Sequence, residues 1–412
     1  MDYGLIGEHL PHSFSKQIHE QLTGEAYTLC QLRPQELEGF LTSPTFRAVN
    51  VTIPYKQAVM PYLAEIDPAA ERIGAVNCIV NRDGRLCGYN TDYLGLKALV
   101  LRMGLQLQGK KVLILGSGGT SRTACAVAES LGAERIFRVS RSGRDGCITY
   151  EEAAKKHGDS HILFNTTPSG MFPNTEEQPV DLGAFPHLEG VVDAVYNPLR
   201  TRLIQQAQSL GIPAEGGLYM LVSQAVAAAE IFRDTRYPDE SCESIYRSIL
   251  SQRENIVLTG MPGSGKSTVG KLLAETLQRP LIDLDQVIVE MAGCEISQIF
   301  AQQGEAAFRD LESRAAAEAA RQTGCIIATG GGAVLRQENV RRLKQNGRIF
   351  FLNRPLEDIC PTEDRPLSRD RESLQRRFEE RYPIYQSTAQ AEIPVTGTPE
   401  EVCRRIMEEY LL

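Results

Sequence analysis

The sequence predicts an α/β chain of more than one domain, built on parallel sheets, and three observations predict it. Short apolar runs alternate with stretches of helical periodicity from end to end, the pattern of strands layered with helices. The 412 residues exceed what one ordinary core holds, so two or three domains are expected. A glycine-rich loop follows an apolar run at two separate places, KVLILGSGGTSRT (111–123) and IVLTGMPGSGKST (256–268).

Composition and charge narrow the class. With 42% hydrophobic and 23% charged residues the chain is ordinary globular protein. A formal net charge of -8 argues against a general nucleic-acid or membrane-surface binder, while leaving room for a local basic pocket for a small anion. No apolar stretch approaches the roughly 20 residues that span a bilayer. The first residues, MDYGLIGEHL, lack a basic region followed by an apolar one; they read as a first strand, and a cytoplasmic location is expected. The 10 cysteines are scattered with no C-x-x-C pair, which predicts reduced core thiols in place of a zinc site or disulfide framework. His9 and His12 lack the Glu and the i, i+4 helical spacing of a metal motif and read as loop residues.

Taken in order, GLIG (4–7), AVNVTI (48–53) and AVNCIVN (75–81) read as strands with helical stretches between them. A second strand–helix series opens at VLILG (112–116) and continues with RIFRVS (135–140), HILFNTTP (161–168) and GVVDAVYNP (190–198). LVSQAVAAAEIF (221–232) is a small-residue helix. RYPDESCESIYRSILSQREN (236–255) is polar, has no strand signal and marks a boundary. The roughly 160 residues beyond it suit one small α/β domain. That domain opens on IVLT and then STVGKLLAETLQ, which places Val269, Leu272, Leu273 and Leu277 on one helical face.

In the first loop, Gly116 and Gly118 permit a tight turn and close approach of backbone to a pyrophosphate, and Ser121 is small enough for helix–strand packing. The next strand ends in Ser140-Arg141-Ser142-Gly143-Arg144, where an Asp or Glu would hold a ribose diol. A guanidinium pairs with a 2′-phosphate, which points to NADP; a solvated basic turn is the plain alternative. In HSFSKQIH, Ser13 and Ser15 stand where a helix should begin, to hold a carboxylate or simply to cap the helix. In NVTIPYK, Thr52 and Lys56 straddle a proline that ends the strand. In GYNTDYLG, Asn90, Thr91 and Asp92 make a polar turn that also reads as a local Asx turn.

HSFS, NVTIPYK, AVNC, GYNTD, GSGGTSR, NTTPSGM, DAVYNP and GGLYMLVSQA follow in this order over residues 1 to about 235, and the ordered run resembles shikimate dehydrogenase. The resemblance implies a shikimate pocket of Ser13, Ser15, Thr52, Asn77, Asp92, Tyr196 and Gln224, with Lys56 as acid/base residue helped by Asp92. It implies NADP on Gly116, Ser117, Gly118, Gly119, Thr120, Ser140, Arg141, Arg144 and Gly217. Reducing the ketone of 3-dehydroshikimate needs a hydride on one face and a proton on the nascent alkoxide; a partly desolvated lysine supplies the proton, and no metal is needed. There are two departures from the family pattern. Arg144 comes one position early, which leaves Arg141 as the firmer 2′-phosphate partner. Tyr219 stands where the family often holds a small residue, so different nicotinamide contacts are expected.

The second loop fits G-x-x-x-x-G-K-[ST] in the strand–loop–helix setting that pattern requires. Backbone N–H groups of Gly263, Ser264, Gly265, Lys266, Ser267 and Thr268 would cradle phosphates, Lys266 would reach the β- and γ-phosphates, and the Ser267 hydroxyl would ligate Mg²⁺. LIDLDQVI puts Asp283 and Asp285 two apart at a strand end, on one face if strand geometry persists. One can serve Mg²⁺ through water while the other orients a hydroxyl; a capped strand end is the plain alternative. FRDLE (308–312), ATGGG (328–332), DRPLS (364–368) and RYPIY (381–385) follow, and this order resembles shikimate kinase over roughly residues 254 to 412. The resemblance implies that Asp285, Arg309, Gly331 and Arg381 contact shikimate, the arginines on its carboxylate. It puts Asp283 in the Mg²⁺ shell and a catalytic Arg365, in the lid, at the ATP phosphates. The lid is short and carries Ser368 in place of a usual apolar residue, which bears on a closure that excludes water and governs turnover in such kinases.

Together these readings describe a bifunctional enzyme using NADP, ATP and Mg²⁺ on 3-dehydroshikimate and shikimate, with no nucleic-acid or membrane partner. The expected domains are a substrate-binding α/β domain over 1–98 completed by a helix at about 218–235, a Rossmann-type NADP domain over 99–217, a linker over 236–253 and a P-loop kinase domain with a parallel sheet over 254–412. Two other readings stay open: a quinate/shikimate dehydrogenase fused to a kinase of another small polyol acid, or one domain as a non-catalytic binding or assembly module. The paired hydroxyls of Ser13 and Ser15 favour shikimate, and Arg141 argues against NAD. The joint presence of Lys56, Asp92, Lys266, Ser267 and Asp283 argues against a silent domain.

Overall fold

Apolar runs buried on both faces form the middle of two of the three sheets, as parallel strands covered by helices require. The computed structural model describes residues 1–10, 14–359 and 371–411. The chain divides into two units, Met1–Ser248 and Ile249–Leu412, and the division falls inside the helix Glu240–Arg253, in the polar segment read as a linker.

The first sheet has six strands in the order Thr28–Gln31, Tyr3–Gly7, Ala48–Val51, Cys78–Arg82, Arg85–Tyr89, Glu65–Ile66. It is parallel through the first three and antiparallel where the hairpin of Cys78–Arg82 and Arg85–Tyr89 joins. The strand Arg85–Tyr89 was not anticipated, although Asp83-Gly84 is a hairpin signal. Both residues take positive φ (53° and 87°), the turn whose twist matches that of its flanking strands. AVNCIVN begins its strand only at Cys78.

The second sheet is wholly parallel, in the order Ala214–Glu215, Gly190–Asp193, Ile162–Asn165, Lys111–Leu115, Arg135–Val139. The chain enters at Lys111–Leu115, steps to one side, then crosses to the other, so the strand order reverses between Lys111–Leu115 and Ile162–Asn165. In open sheets of this kind the ligand crevice lies beyond the carboxyl ends of the strands at such a reversal. The helices Thr91–Arg102 and Leu218–Arg233 pack on each other so closely that a Cβ on Gly95 would lie 2.5 Å from the Met220 carbonyl oxygen. Glycine at 95 therefore allows the approach that brings Thr91 and Asp92 against Leu221 and Gln224.

The third sheet, in the second unit, is also parallel, ordered Leu281–Asp283, Ile326–Ala328, Asn255–Thr259, Gly347–Asn353, Ala391–Pro394. Alternation along its strands sends Ile256, Leu258, Phe350 and Leu352 to one core with Val269 and Leu273, and Val257, Ile349 and Phe351 to another with Leu284 and Ile288. The pairing of Asp283 and Asp285 by strand geometry is corrected. The strand ends at Asp283 and the helix Leu284–Ala292 begins at once, because the Asp283 carboxylate accepts the Asp285 N–H at 3.1 Å and caps it. Among the described residues no helix is long and apolar enough to cross a membrane, and the cysteines are unpaired thiols.

Asp193 ends its strand with no solvent exposure, accepting from Asn165 Nδ2 (2.9 Å), the Val195 N–H (3.0 Å) and Thr201 Oγ1 (2.6 Å). It ties two strand ends to the segment that carries Tyr196. Burial pushes its acid from 3.8 up to about 6, against the pull of those three donors. The folded value is raised, so the stability contributed by the protonated acid is full below pH 3.8 and is lost as pH rises toward 6, a change of about 3 kcal/mol. In urea unfolding of the parent and Asp193→Asn, the parent's advantage should shrink between about pH 4 and 6 and stay level above 7; a gap that widens with pH would contradict this account.

Candidate functional site

In the first unit a cavity of about 340 Å³ opens between the first sheet and the helix pair. Lys56 Nζ and Asp92 Oδ2 meet in it at 2.6 Å, with side chains 30% and 22% exposed. Lys56 follows the strand Ala48–Val51, and Asp92 stands in the first turn of Thr91–Arg102. Ser15, Thr52, Asn77, Tyr196 and Gln224 line the same cavity, so the structure brings these sequence-derived residues together; Ser13 lies outside the described residues. Ser15 sits in the opening turn of the helix Phe14–Thr23.

A buried network aims these groups. The Thr91 N–H donates to Asn77 Oδ1 (2.7 Å), Asn77 Nδ2 donates to Thr91 Oγ1 (3.1 Å), and the Thr91 hydroxyl reaches Gln224 Oε1 (3.3 Å). Tyr27 donates its hydroxyl to Asn50 Oδ1 (2.7 Å), whose amide donates to the Asn77 carbonyl (3.2 Å). Sequence reasoning missed Asn50 and His9 as lining or orienting residues. Asn50 was legible two positions before Thr52 on the same strand face. His9, read as a loop residue, lines the cavity, and His12 lies outside the described residues.

The first glycine loop stands at the strand-order reversal. Gly116 takes φ +118°, and a Cβ there would meet Thr166 Oγ1, at the end of the neighbouring strand, at 2.6 Å. Gly118 and Gly119 have open space where a Cβ would be, and the helix Gly119–Ser130 starts without a side-chain cap. Beneath it the Ser121 hydroxyl is buried without a partner. An open turn, free helix-start N–H groups and an orphan hydroxyl fit a pyrophosphate. Ser117 and Thr120 stand in this turn; Ser140 accepts the Gly143 N–H (3.1 Å), while Arg141 and Arg144 are exposed with no ion pair among the described residues. Gly217 is required by close packing, since a Cβ would fall 2.3 Å from the Ala194 carbonyl oxygen. Tyr219 does not line the substrate cavity. Its ring lies 4.7 Å from the Arg102 guanidinium and 5.3 Å from Tyr246, and Arg102 in turn binds Glu215 (2.6 Å) and Glu243 (3.1 Å).

In the second unit a cavity of about 550 Å³ runs from the second glycine loop to the helix Arg371–Thr388. Gly263 and Gly265 take φ +85° and +92°, and Gly265 precedes the helix Lys266–Leu277. Lys266 is buried with Nζ donating to the Gly260 and Met261 carbonyls, each at 2.9 Å. The Ser264 hydroxyl is buried and unpartnered, and Thr268 lines the cavity. Ser267 Oγ donates to Asp283 Oδ2 at 2.7 Å, a hydroxyl–carboxylate pair suited to Mg²⁺ held jointly with a phosphate. These donors fit ATP and its cation.

At the other end Asp285, Arg309, Gly331 and Arg381 line the cavity, and Arg365 lies outside the described residues. Arg309 donates to Glu312 (2.7 Å) and Glu305 (3.1 Å), and Arg381 donates to the Gly331 carbonyl (3.0 Å), as does the Tyr385 hydroxyl. Glu312 has no exposed side-chain surface, and its Oε1 is unpartnered. Burial raises its acid against the pull of Arg309, while Arg309, pushed down by burial, is carried above its ordinary value by Glu312 and Glu305. Arg377, one turn before Arg381, lines the cavity too and is held below its ordinary value by burial, then by Arg381. Sequence reasoning missed Glu312 and Arg377. The i, i+3 spacing from Arg309 and the i, i-4 spacing from Arg381 were the available signals.

A family model described as shikimate dehydrogenase substrate binding domain matches residues 5–79, and one described as shikimate kinase matches residues 262–411. A shikimate dehydrogenase (NADP(+)) of Clostridium beijerinckii is 36% identical over 261 residues, covering 59% of this chain and 96% of that protein. The crystal structure of shikimate dehydrogenase 1 from Peptoclostridium difficile is similar at TM-score 0.55 and 35% identity, over 60% of this chain and 98% of its own. A Thermus thermophilus shikimate 5-dehydrogenase solved with NADP(H) and shikimate is similar at TM-score 0.54 and 28% identity, over 60% and 99%.

The three heavy atoms nearest a Cβ on Gly332 would all belong to the Arg309 guanidinium, with Nη1 at 2.1 Å. Gly332→Ala should therefore displace a guanidinium that is paired with the fully buried Glu312, at a cost of about 3–5 kcal/mol of stability. A titration with shikimate, the expected carboxylate, should show binding weakened about tenfold or more; unchanged affinity would remove Arg309 from the carboxylate end.

Proposed function

We propose, for a chain that belongs to the shikimate dehydrogenase family and carries a shikimate kinase domain behind it, two successive reactions at the same ring position. The chain is a bifunctional shikimate-pathway enzyme. The first unit reduces 3-dehydroshikimate to shikimate with NADPH, and the second phosphorylates the 3-hydroxyl with Mg·ATP to give shikimate 3-phosphate. The observation that carries this reading is that each unit closes a polar cavity around its own cation, Lys56 in one and Lys266 in the other.

In the first cavity NADPH, when bound, supplies the hydride. The ammonium of Lys56, held at 2.6 Å by Asp92, delivers a proton to the developing alkoxide, and the carboxylate steadies the ammonium until then. Ser13 and Ser15 hold the substrate carboxylate; Thr52, Asn77, Tyr196 and Gln224 bind the ring hydroxyls and fix which carbonyl faces Lys56. In the second cavity Mg·ATP, when bound, supplies the phosphoryl group. Arg309 and Arg381 hold the carboxylate, Asp285 orients the hydroxyl and takes its proton, and Lys266 meets negative charge at the glycine loop. Ser267 and Asp283 would hold the metal from the protein side.

Two variants test both halves. Lys56→Met should lower NADPH oxidation with 3-dehydroshikimate by about 10²–10⁴-fold while leaving ATP-dependent phosphorylation of added shikimate intact. Lys266→Ala should do the reverse. Full turnover by either variant in its own reaction would sink that assignment.

A further inference from the structure

Arg354 belongs to no motif singled out in the sequence, yet it stands beside the phosphate loop. The strand Gly347–Asn353 pairs in parallel with Asn255–Thr259, with Phe351 opposite Thr259, so both chains leave the sheet side by side. Asn353 is anchored on its other side: its carbonyl accepts the Val395 N–H (2.9 Å) and its amide donates to Glu392 Oε1 (2.6 Å). The next residue, Arg354, is therefore carried on a fixed strand end.

Its side chain is half-buried and lines the cavity with Gly263, Gly265, Lys266 and Ser267. A guanidinium has five N–H donors. Here one reaches the Gly263 carbonyl, at 3.4 Å a long contact with a neutral acceptor. No carboxylate lies within ion-pair distance among the described residues, unlike Arg309 with Glu312 and Glu305. A partly desolvated cation with so little compensation is poised for an anion.

From this geometry we infer that Arg354 is a second phosphate-binding cation of the kinase unit, acting beside Lys266 on the phosphate chain of the nucleotide. The inference rests on the kinase reading of this cavity. Lys266 approaches from within the loop, whereas Arg354 approaches from the adjoining strand end with a planar fork able to bridge two phosphate oxygens. Set on a rigid element, it loses little freedom on binding.

The test uses the full chain and inorganic tripolyphosphate, ADP and ATP as probes in calorimetric titrations at two salt concentrations. Arg354→Gln should bind tripolyphosphate and ATP about tenfold or more weakly, with a shallower salt dependence and an unchanged KM for shikimate. Arg354→Lys should recover part of the loss. Parent-like binding by Arg354→Gln, while Lys266→Ala binds weakly, would overturn this inference alone. Parent-like binding by both would overturn the phosphate-loop reading with it. Equal losses in Arg354→Gln and Arg354→Lys, with a lowered unfolding midpoint and unchanged salt dependence, would make Arg354 a clip on Gly263 and also overturn the inference.

Discussion

The glycine loops of both units hang on the place where a parallel sheet reverses its strand order. Right-handed crossovers send successive helices to opposite faces on either side of that point, so the loops leaving its two strands part and leave a crevice. The strands Lys111–Leu115 and Asn255–Thr259 each sit next to such a reversal, and each ends in a glycine loop that opens a helix. Gly116 presses on Thr166 and Gly260 on the Leu352 carbonyl. Side chains there would collide with the neighbouring strand ends and push the loops out of their turns.

In the two substrate cavities the charged groups are held before any ligand arrives. Lys56 leans on Asp92, Arg309 on Glu312, and Lys266 on two carbonyls. Each contact restricts a long side chain to one direction, so binding a substrate need not order it again. The support comes from elements distant in sequence. The Gly95 contact sets the helix carrying Asp92 against the helix carrying Gln224. The triple glycine at 330–332 lets one loop touch Asp285, Glu312, Pro262 and Arg309 at once.

Much of this was legible in the chain. The strand–loop–helix units, the small-residue helix that runs Leu218–Arg233 and the polar groups now gathered in two cavities follow from short motifs whose spacing is local. The misreadings share a cause. Asp283 and Asp285 look like strand neighbours until one carboxylate caps a helix. Glu312 is an ordinary helix glutamate in sequence, and only burial against Arg309 makes it part of the site.

The sequence by itself determined the two glycine loops, most of the alternation of strands and helices and which polar groups were candidates for the two cavities, because each depends on residue type within a few positions. Tertiary structure alone decided the direction in which those groups point and what opposes them. It put Thr91 between Asn77 and Gln224 and turned Arg354 onto Gly263. The physical reason is that desolvation and hydrogen-bond partnership are properties of a packed neighbourhood, and packing joins residues that the linear order keeps far apart.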